Sequence, residues 1–148
     1  MKIHSALLLT GAFMLSMAAC KKEETQVTVK EKLVAHQWKS TGFVNNGITK
    51  TTWCWLNSLY EFTNAGNLYF TQGDNMGACF GDPIGTITPI PYKISADEKK
   101  IILLRTPVAY EGDTFEIVSI TDTQLKTKRA VNQNTATPDT WEDTFTAQ

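Results

Sequence analysis

From His36 to the end of the chain, short strand-forming segments alternate with turn signals. Threonine, valine, isoleucine and aromatic residues dominate the segments, and clusters of Asn, Asp, Gly and Pro separate them. Because short turns join most consecutive segments, we expect an antiparallel up-and-down barrel, with a two-sheet sandwich as the alternative. The pattern predicts nine short strands, over residues 37–44, 48–53, 57–63, 68–71, 86–94, 101–106, 113–120, 124–131 and 140–147.

A short helix is expected before the first strand. Residues 29–35, VKEKLVA, place Val29 and Leu33 four positions apart with charged residues between them, which is typical of a short amphipathic helix. Residues 45–47 (NNG) predict a tight hairpin, because Asn and Gly adopt positive φ at low cost. The expected fold class is all-β, an antiparallel up-and-down barrel of about eight to nine short strands with a short N-terminal helix, in one domain over residues 29–148.

The first 19 residues have the pattern of an export signal. Lys2 precedes an apolar run from Ala6 to Ala19, and the run ends in two small residues. A membrane-spanning helix needs about 20 apolar residues, so this run is too short for one. We therefore expect residues 1–19 to be removed as a signal peptide.

The residues around the expected cleavage point, Met17-Ala18-Ala19-Cys20, resemble the lipobox of bacterial lipoproteins. The resemblance implies that Cys20 is lipidated, carries palmitate-type acyl chains and becomes the new N-terminus. Each buried methylene of an acyl chain adds about 0.8 kcal/mol, so several chains anchor a protein without a transmembrane helix.

The charged residues after Cys20 have two interpretations. Residues 21–24 (KKEE) resemble the signal that sends lipoproteins to the outer face of the outer membrane in one group of Gram-negative bacteria. That resemblance implies a protein anchored in the outer membrane and displayed at the cell surface. The other interpretation is a solvated tether over residues 20–28 that contains no localisation signal.

The cysteine count is consistent with one disulfide bond. The chain has three cysteines, and with Cys20 assigned to lipid, Cys54 and Cys79 remain as one pair. Such pairs bond in the oxidising compartments that exported proteins reach. The closed loop of about 25 residues would contribute about 3 kcal/mol in the chain-entropy model. A zinc site is the weaker alternative, because two thiolates without neighbouring histidines do not fill a tetrahedral shell.

Three segments together resemble the small lipocalin-like domains of bacterial surface lipoproteins. They are LVAHQW (33–38), CWLNSLYEFTNAGNLYF (54–70) and FEIVSITDTQLKTK (115–128). The resemblance implies a lipocalin-like barrel in which Cys54 and Cys79 are bonded. True lipocalins have glycine where this chain has His36. They also stack an arginine from a late strand on the first-strand tryptophan, here Trp38. Arg129 is the candidate for that stack, and the alternative is a solvated side chain at a strand end.

Signatures of catalysis and of nucleic-acid binding are nearly absent. After residue 19 the chain has one histidine, His36, and it has no G-x-S-x-G, phosphate-binding glycine loop or H-E-x-x-H. The formal net charge of −1 offers no basic excess to a nucleic acid. We therefore expect no enzyme, no metal, no cofactor and no nucleic-acid partner. Asp143 shares a face with Trp141 and Phe145, so it is either inward and paired with a cation such as Arg129 or Lys128, or placed at a barrel mouth.

Binding is better supported than catalysis, because aromatic residues alternate along the predicted strands as one inward face requires. Inside a barrel of about eight strands, such side chains either fill the interior or line a pocket for one small ligand. The first expectation is a small apolar or amphipathic ligand. The alternative is a module with a filled core that contacts an envelope or host protein. The candidate ligand-binding or core residues are Trp38, Trp53, Trp55, Tyr60, Phe62, Phe70, Phe115, Arg129, Trp141 and Asp143.

Overall fold

The computed structural model describes residues 27–73, 89–104, 114–131 and 138–148. Within these residues the chain forms one helix and nine strands, all of them paired antiparallel. The helix is α1 (Val29–Val34), and the strands are β1 (Gln37–Asn45), β2 (Ile48–Thr49), β3 (Leu59–Phe62), β4 (Asn67–Thr71), β5 (Ile90–Ile94), β6 (Lys100–Leu103), β7 (Thr114–Ile120), β8 (Gln124–Val131) and β9 (Asp139–Ala147).

Pairing between the first and last strands closes the sheet into a barrel. The strand order is β2-β1-β3-β4-β5-β6-β7-β8-β9, and β1 pairs with β9 from Trp38↔Ala147 to Asn45↔Trp141. Eight strands form the closed barrel, and β2 is an extra strand on the far part of β1. The predicted all-β barrel is therefore confirmed, and the two-sheet sandwich is excluded, because two separate sheets would leave β1 and β9 unpaired.

Two bulges keep the aromatic face of the barrel inward. In β1 the pairing shifts between Ser40 and Gly42, so that Trp38 and Ser40 face inward before the bulge and Phe43 after it. In β7 a second shift lies between Ile117 and Ser119. An extra residue in one strand reverses the alternation of inward and outward side chains. The bulge in β1 therefore makes Phe43 a fully buried interior residue, 1% exposed.

The helix end of the barrel, where α1 meets the start of β1, is closed by an apolar plug. Thr28 and Glu31 form a capping box that starts α1. Leu33 and Trp38 are both 0% exposed, and the Trp38 Nε1–H donates to the backbone oxygen of Leu33 at 2.8 Å. The plug belongs to a core whose buried members are Leu33, Trp38, Phe62, Leu68, Tyr92, Ile101, Leu125 and Phe145.

The opposite end is called here the far end. Strands β4, β6 and β8 run toward it and finish there at Thr71, Leu103 and Val131, and β9 starts there at Asp139. The turns at the helix end are short: residues 63–66, 95–99 and 121–123 connect the strands. The connections at the far end include residues 74–88, 105–113 and 132–137, which lie outside the described residues.

The predicted elements agree with the structure apart from several strand ends, such as Leu59 and Leu103, and one strand that is much shorter than predicted. The Asn46-Gly47 hairpin is confirmed, with φ of 49° and 78° at its two central residues. The strand predicted over 48–53 ends at Thr49, because the next residues turn back along β1: the Lys50 N–H donates to the Phe43 oxygen and the Asn57 N–H to the Ser40 oxygen. The strand predictions for residues 86–88, 105–106 and 113 fall outside the described residues.

Leu33→Ala should destabilise the barrel strongly. The side chain is 0% exposed and packs into the core, so its removal leaves a cavity and should lower the free energy of unfolding by about 3 kcal/mol. Val118→Ala is the matched control, because Val118 is 59% exposed and its truncation should change stability by less than about 0.5 kcal/mol. Urea unfolding measures both. Equal stability of the two variants would contradict the apolar plug.

Candidate functional site

Polar and aromatic side chains come together inside the far end of the barrel. Arg129 pairs with Trp141 across the β8–β9 ladder, and Thr127 pairs with Asp143 one inward position closer to the helix end. Alternation places these four residues on the inner face, as the neighbouring inward residues Leu125 and Phe145 confirm by their burial. Two adjacent, fully paired strands therefore hold the site.

Arg129 lies against two aromatic rings. Its guanidinium carbon is 4.8 Å from the centroid of the Phe115 ring and 4.8 Å from that of Trp141. Such cation–π contacts stabilise by about 0.5–2 kcal/mol, depending on desolvation. Arg129 therefore contacts Phe115 and Trp141, whereas the resemblance to lipocalins implied that it would stack on Trp38. Trp38 pairs with Ala147 of β9 and Arg129 with Trp141, positions that lie about 20 Å apart along the strand.

Asp143 occupies the inward, paired position rather than a barrel mouth. The residue is 6% exposed, and its Oδ2 lies 4.0 Å from Nε of Arg129. Lys128, the other cation considered from sequence, lies on the outer face with Glu142, at 3.8 Å between Nζ and Oε1. The interior therefore holds a desolvated carboxylate and a guanidinium side by side, at a distance longer than a hydrogen bond.

Burial changes the acid–base chemistry of this site. Desolvation raises the pKa of Asp143 from 3.8 to about 6, and the positive charge of Arg129 offsets part of that rise. Desolvation also raises the pKa of Tyr60 above its usual value, with a further contribution from the negative charge of Asp143 and an opposing one from Arg129. We call Tyr60, Thr127, Arg129 and Asp143 the buried polar cluster.

Several buried polar atoms at the far end have no hydrogen-bond partner among the described residues. They are Asn45 Oδ1, Trp53 Nε1, Thr127 Oγ1, Trp141 Nε1 and Asp143 Oδ2. Buried polar atoms in folded proteins are nearly always paired, and one left unpaired costs about 1–3 kcal/mol. Because these atoms cluster on one part of the inner face, this part of the barrel is the candidate site.

Aromatic rings stand beside these atoms. The Trp53 ring stacks on Phe43 with centroids 4.3 Å apart, and the two indoles of Trp53 and Trp141 meet edge to face at 5.3 Å. We call Trp53 and Trp141 the indole pair. Trp55 packs elsewhere, 5.3 Å from the Phe70 ring. Residues 50–58 contain turns and bends and no strand, so Trp53 and Trp55 do not alternate along a strand and contact different rings.

Tyr60 connects the buried polar cluster to the aromatic residues that pack toward the helix end. The Tyr60 ring lies 5.0 Å from those of Phe70 and Phe145, and the Phe62 ring lies 5.1 Å from that of Tyr92. Trp38, Phe62 and Phe70 are all buried. Aromatic side chains therefore fill this half of the interior.

Phe43, Asn45 and Thr127 belong to the site but were not singled out from sequence. Phe43 and Asn45 face inward because of the β1 bulge, for which Gly42 was the only local signal. Thr127 alternates with Leu125 and Arg129 on β8, so the inward face of that strand contained the signal. Threonine is common on outward faces of strands, so its residue type did not indicate an inward position. Thr127 is only 2% exposed because the sheet closes into a barrel.

The cysteine predictions lie largely outside the described residues. Cys54, which lies between Trp53 and Trp55 in the sequence, is half-buried and is not a free thiol. Cys79 and Cys20 are not among the described residues. The bond predicted between Cys54 and Cys79 and the lipid on Cys20 stay predictions.

A cleft of about 370 Å³ lies outside the barrel, between the start of α1 and the β5–β6 turn. The Val29 N–H donates to Glu98 across it at 3.2 Å. The cleft is lined by Val27, Thr28, Val29, Lys32, Glu98 and Ile120. None of these residues belongs to the buried polar cluster or the indole pair, so the cleft and the site are separate features.

Comparisons with known proteins leave the family open. No protein-family model matches the chain, and no curated protein matches it. The closed antiparallel barrel agrees with a lipocalin-like fold. Within the described residues, no helix has the length and apolarity to cross a membrane, and no three His, Cys, Asp or Glu side chains are grouped to hold a metal ion.

Asp143→Asn should remove a pH-dependent part of the folding stability. The pKa of Asp143 is about 6 in the folded protein and 3.8 in its ordinary state, so the folded protein binds this proton more tightly than the unfolded chain. The contribution of Asp143 to the free energy of unfolding therefore rises as the pH falls from about 6 to about 4, by on the order of 2–3 kcal/mol. Urea titrations of the variant across this range should lack that rise.

Asp122→Asn is the matched control for this measurement. Asp122 is exposed in the turn between β7 and β8, so its substitution should leave the pH dependence of the wild type unchanged. The quantity compared is the difference between each variant and the wild type at each pH, which cancels the contributions of the surface carboxylates. An Asp143→Asn profile parallel to that of the wild type would contradict the desolvation of this carboxylate.

Proposed function

We propose that this chain is a non-catalytic binding protein that holds one small amphipathic molecule in the far end of its barrel. The observation that carries the proposal is the set of buried polar atoms without hydrogen-bond partners beside the indole pair. A ligand with a polar group and an apolar body would satisfy those atoms and contact the aromatic rings. Small-molecule sites have this composition, a largely apolar lining with a few placed polar groups.

The position of the site agrees with this function. The core residues fill the helix end, and the polar atoms without partners lie toward the far end. A barrel of eight strands is wide enough for one small ligand when side chains do not fill it. Water molecules would satisfy the same polar atoms before the ligand enters, and the ligand would displace them.

The interaction module with a filled core is less well supported. A filled interior would need partners for its polar atoms, and Thr127 Oγ1 and Trp141 Nε1 have none among the described residues. The most exposed large apolar side chains described, Ile48 and Val118, lie on β2 and β7, strands that are not neighbours in the sheet. Contact with an envelope or host protein is therefore an outcome to test rather than a second proposal.

The proposal also includes export and lipid anchoring through Cys20. It rests on the apolar run before Ala19 and on the lipobox-like residues Met17 to Cys20. A lipid-anchored barrel in the outer membrane, displayed at the cell surface, would bind its ligand close to the membrane without spanning it.

Native mass spectrometry of the protein purified from its own source should show a bound small molecule. The expected mass increment is a few hundred daltons, the size that an eight-stranded barrel accommodates. Trp141→Phe removes one unpaired N–H from the site and should reduce the bound fraction, whereas Trp55→Phe, which alters a ring that packs on Phe70, should not. A co-purified protein with an empty barrel would favour the interaction module and contradict ligand binding.

Cys20→Ser should release the protein from membranes. The substitution removes the thiol that accepts the acyl chains, while the barrel begins after the tether and is unchanged. Cell fractionation followed by immunoblotting measures the distribution, with Cys54→Ser as the control that keeps the anchor. A Cys20→Ser protein that stays in the membrane fraction would overturn the anchoring proposal.

A further inference from the structure

The Asn46-Gly47 turn at the far end places a side-chain amide next to an unhindered peptide nitrogen. Asn46 and Gly47 are both exposed, and they form the only Asn-Gly pair in the chain. A Cβ placed on Gly47 would meet no atom within 4 Å. The Gly47 N–H makes no hydrogen bond among the described residues. Water therefore reaches this nitrogen and can remove its proton.

An exposed amide beside such a nitrogen has the groups that deamidation requires. The Gly47 nitrogen, after its proton passes to water or hydroxide, attacks Cγ of Asn46 and forms a C–N bond. The Cγ–Nδ2 bond breaks, and the amide nitrogen leaves as ammonia with a proton from the solvent. A water molecule then opens the five-membered imide and leaves aspartate or isoaspartate. The net reaction consumes water and releases ammonia, with no oxidation or reduction.

The same side chain attaches the β1–β2 hairpin to the start of β9. Nδ2 of Asn46 donates to Oδ1 of Asp139 at 2.6 Å, and the Thr140 N–H donates to Oδ1 of Asn46 at 2.7 Å. The Asn46 N–H donates to the Thr140 backbone oxygen at 2.9 Å. We call these three hydrogen bonds the hairpin clasp. They continue the β1–β9 ladder beyond its last pair, Asn45↔Trp141.

We propose that Asn46 is a site of spontaneous deamidation, and that this modification releases the β1–β2 hairpin from β9. The hairpin clasp holds the side chain against β9, so the reaction proceeds when the clasp opens locally. A carboxylate only accepts hydrogen bonds, so the aspartate product cannot donate to Asp139 as the amide does. Isoaspartate also adds a carbon to the main chain, which a two-residue turn cannot absorb without losing its register.

The modification affects the two strands that hold one side of the candidate site. Asn45 and Trp141, the ladder pair next to the hairpin clasp, both have buried polar atoms without partners among the described residues. Release of the hairpin removes the restraint at the far end of this pair, so water gains access to these atoms. The inference does not depend on the proposed function, because it requires only the clasp and water.

Prolonged incubation of the purified protein in mildly alkaline buffer, followed by peptide mass spectrometry with fragmentation, locates the modification. We expect Asn46 to gain about one dalton before any other asparagine of the described residues. Asn64 is the internal reference, because it is exposed in the turn before β4 and is followed by alanine. Gly47→Asn tolerates positive φ but places a side chain beside the attacking nitrogen, so it should slow the conversion of Asn46 about ten-fold.

Asn46→Asp introduces one product of the reaction directly. Loss of the hairpin clasp should lower the Tm by at least about 4 °C and speed hydrogen exchange of the Thr140 amide at least about ten-fold. Asn64→Asp is the matched control, because it makes the same charge change where the side chain has no hydrogen bond to the described residues. Its Tm and its Thr140 exchange rate should match those of the wild type.

The two measurements test the two parts of the inference separately. An Asn46 that stays amidated, or that converts only after Asn64, would overturn the modification site. Equal Tm values and equal Thr140 exchange rates in Asn46→Asp and Asn64→Asp would overturn the release of the hairpin. Deamidated wild-type protein, separated from the intact form by ion exchange, should show the same faster exchange as Asn46→Asp.

Discussion

The pairing of β1 with β9 is the interaction on which the rest of the structure depends. The register from Trp38↔Ala147 to Asn45↔Trp141 closes the barrel, and closure gives the sheet an inside. Once the sheet is closed, strand alternation determines which side chains are desolvated, including the charged ones. The burial of Asp143 is thus a property of the whole barrel rather than of its local sequence, as is the raised pKa that follows from it.

The two ends of the barrel differ in whether their buried indole N–H groups have hydrogen-bond partners. At the helix end, Leu33 and Trp38 bury apolar surface and satisfy the one polar atom of the indole with a backbone oxygen at 2.8 Å. At the far end, the same residue type leaves its N–H unpaired, in Trp53 and Trp141. A fold gains stability from the first arrangement and loses some from the second. Such a local loss within an otherwise well-paired barrel agrees with the binding function proposed above.

Much of the fold follows from local patterns, whereas the site depends on pairings between distant strands. Turn residues such as Asn46 and Gly47 predict the hairpins, and the alternation of Trp141, Asp143 and Phe145 predicts the inner face of β9. Phe43 could not be placed, because the β1 bulge reverses the alternation and is set by the partner strand. The contacts of Arg129 with the Phe115 and Trp141 rings could not be predicted either, because they depend on which residues of β7 and β9 lie near Arg129 in the closed barrel.

The capping box at Thr28 has a consequence for orientation. It starts α1 immediately after the segment that would link the barrel to an acylated Cys20, and α1 covers the helix end. A link of residues 20–28 reaches at most about 30 Å when fully extended. The anchor proposed above would therefore place the plugged end nearer the lipid and the far end of the barrel outward. A ligand would then be captured from the surrounding medium, and the bilayer beneath would have no direct route into the barrel.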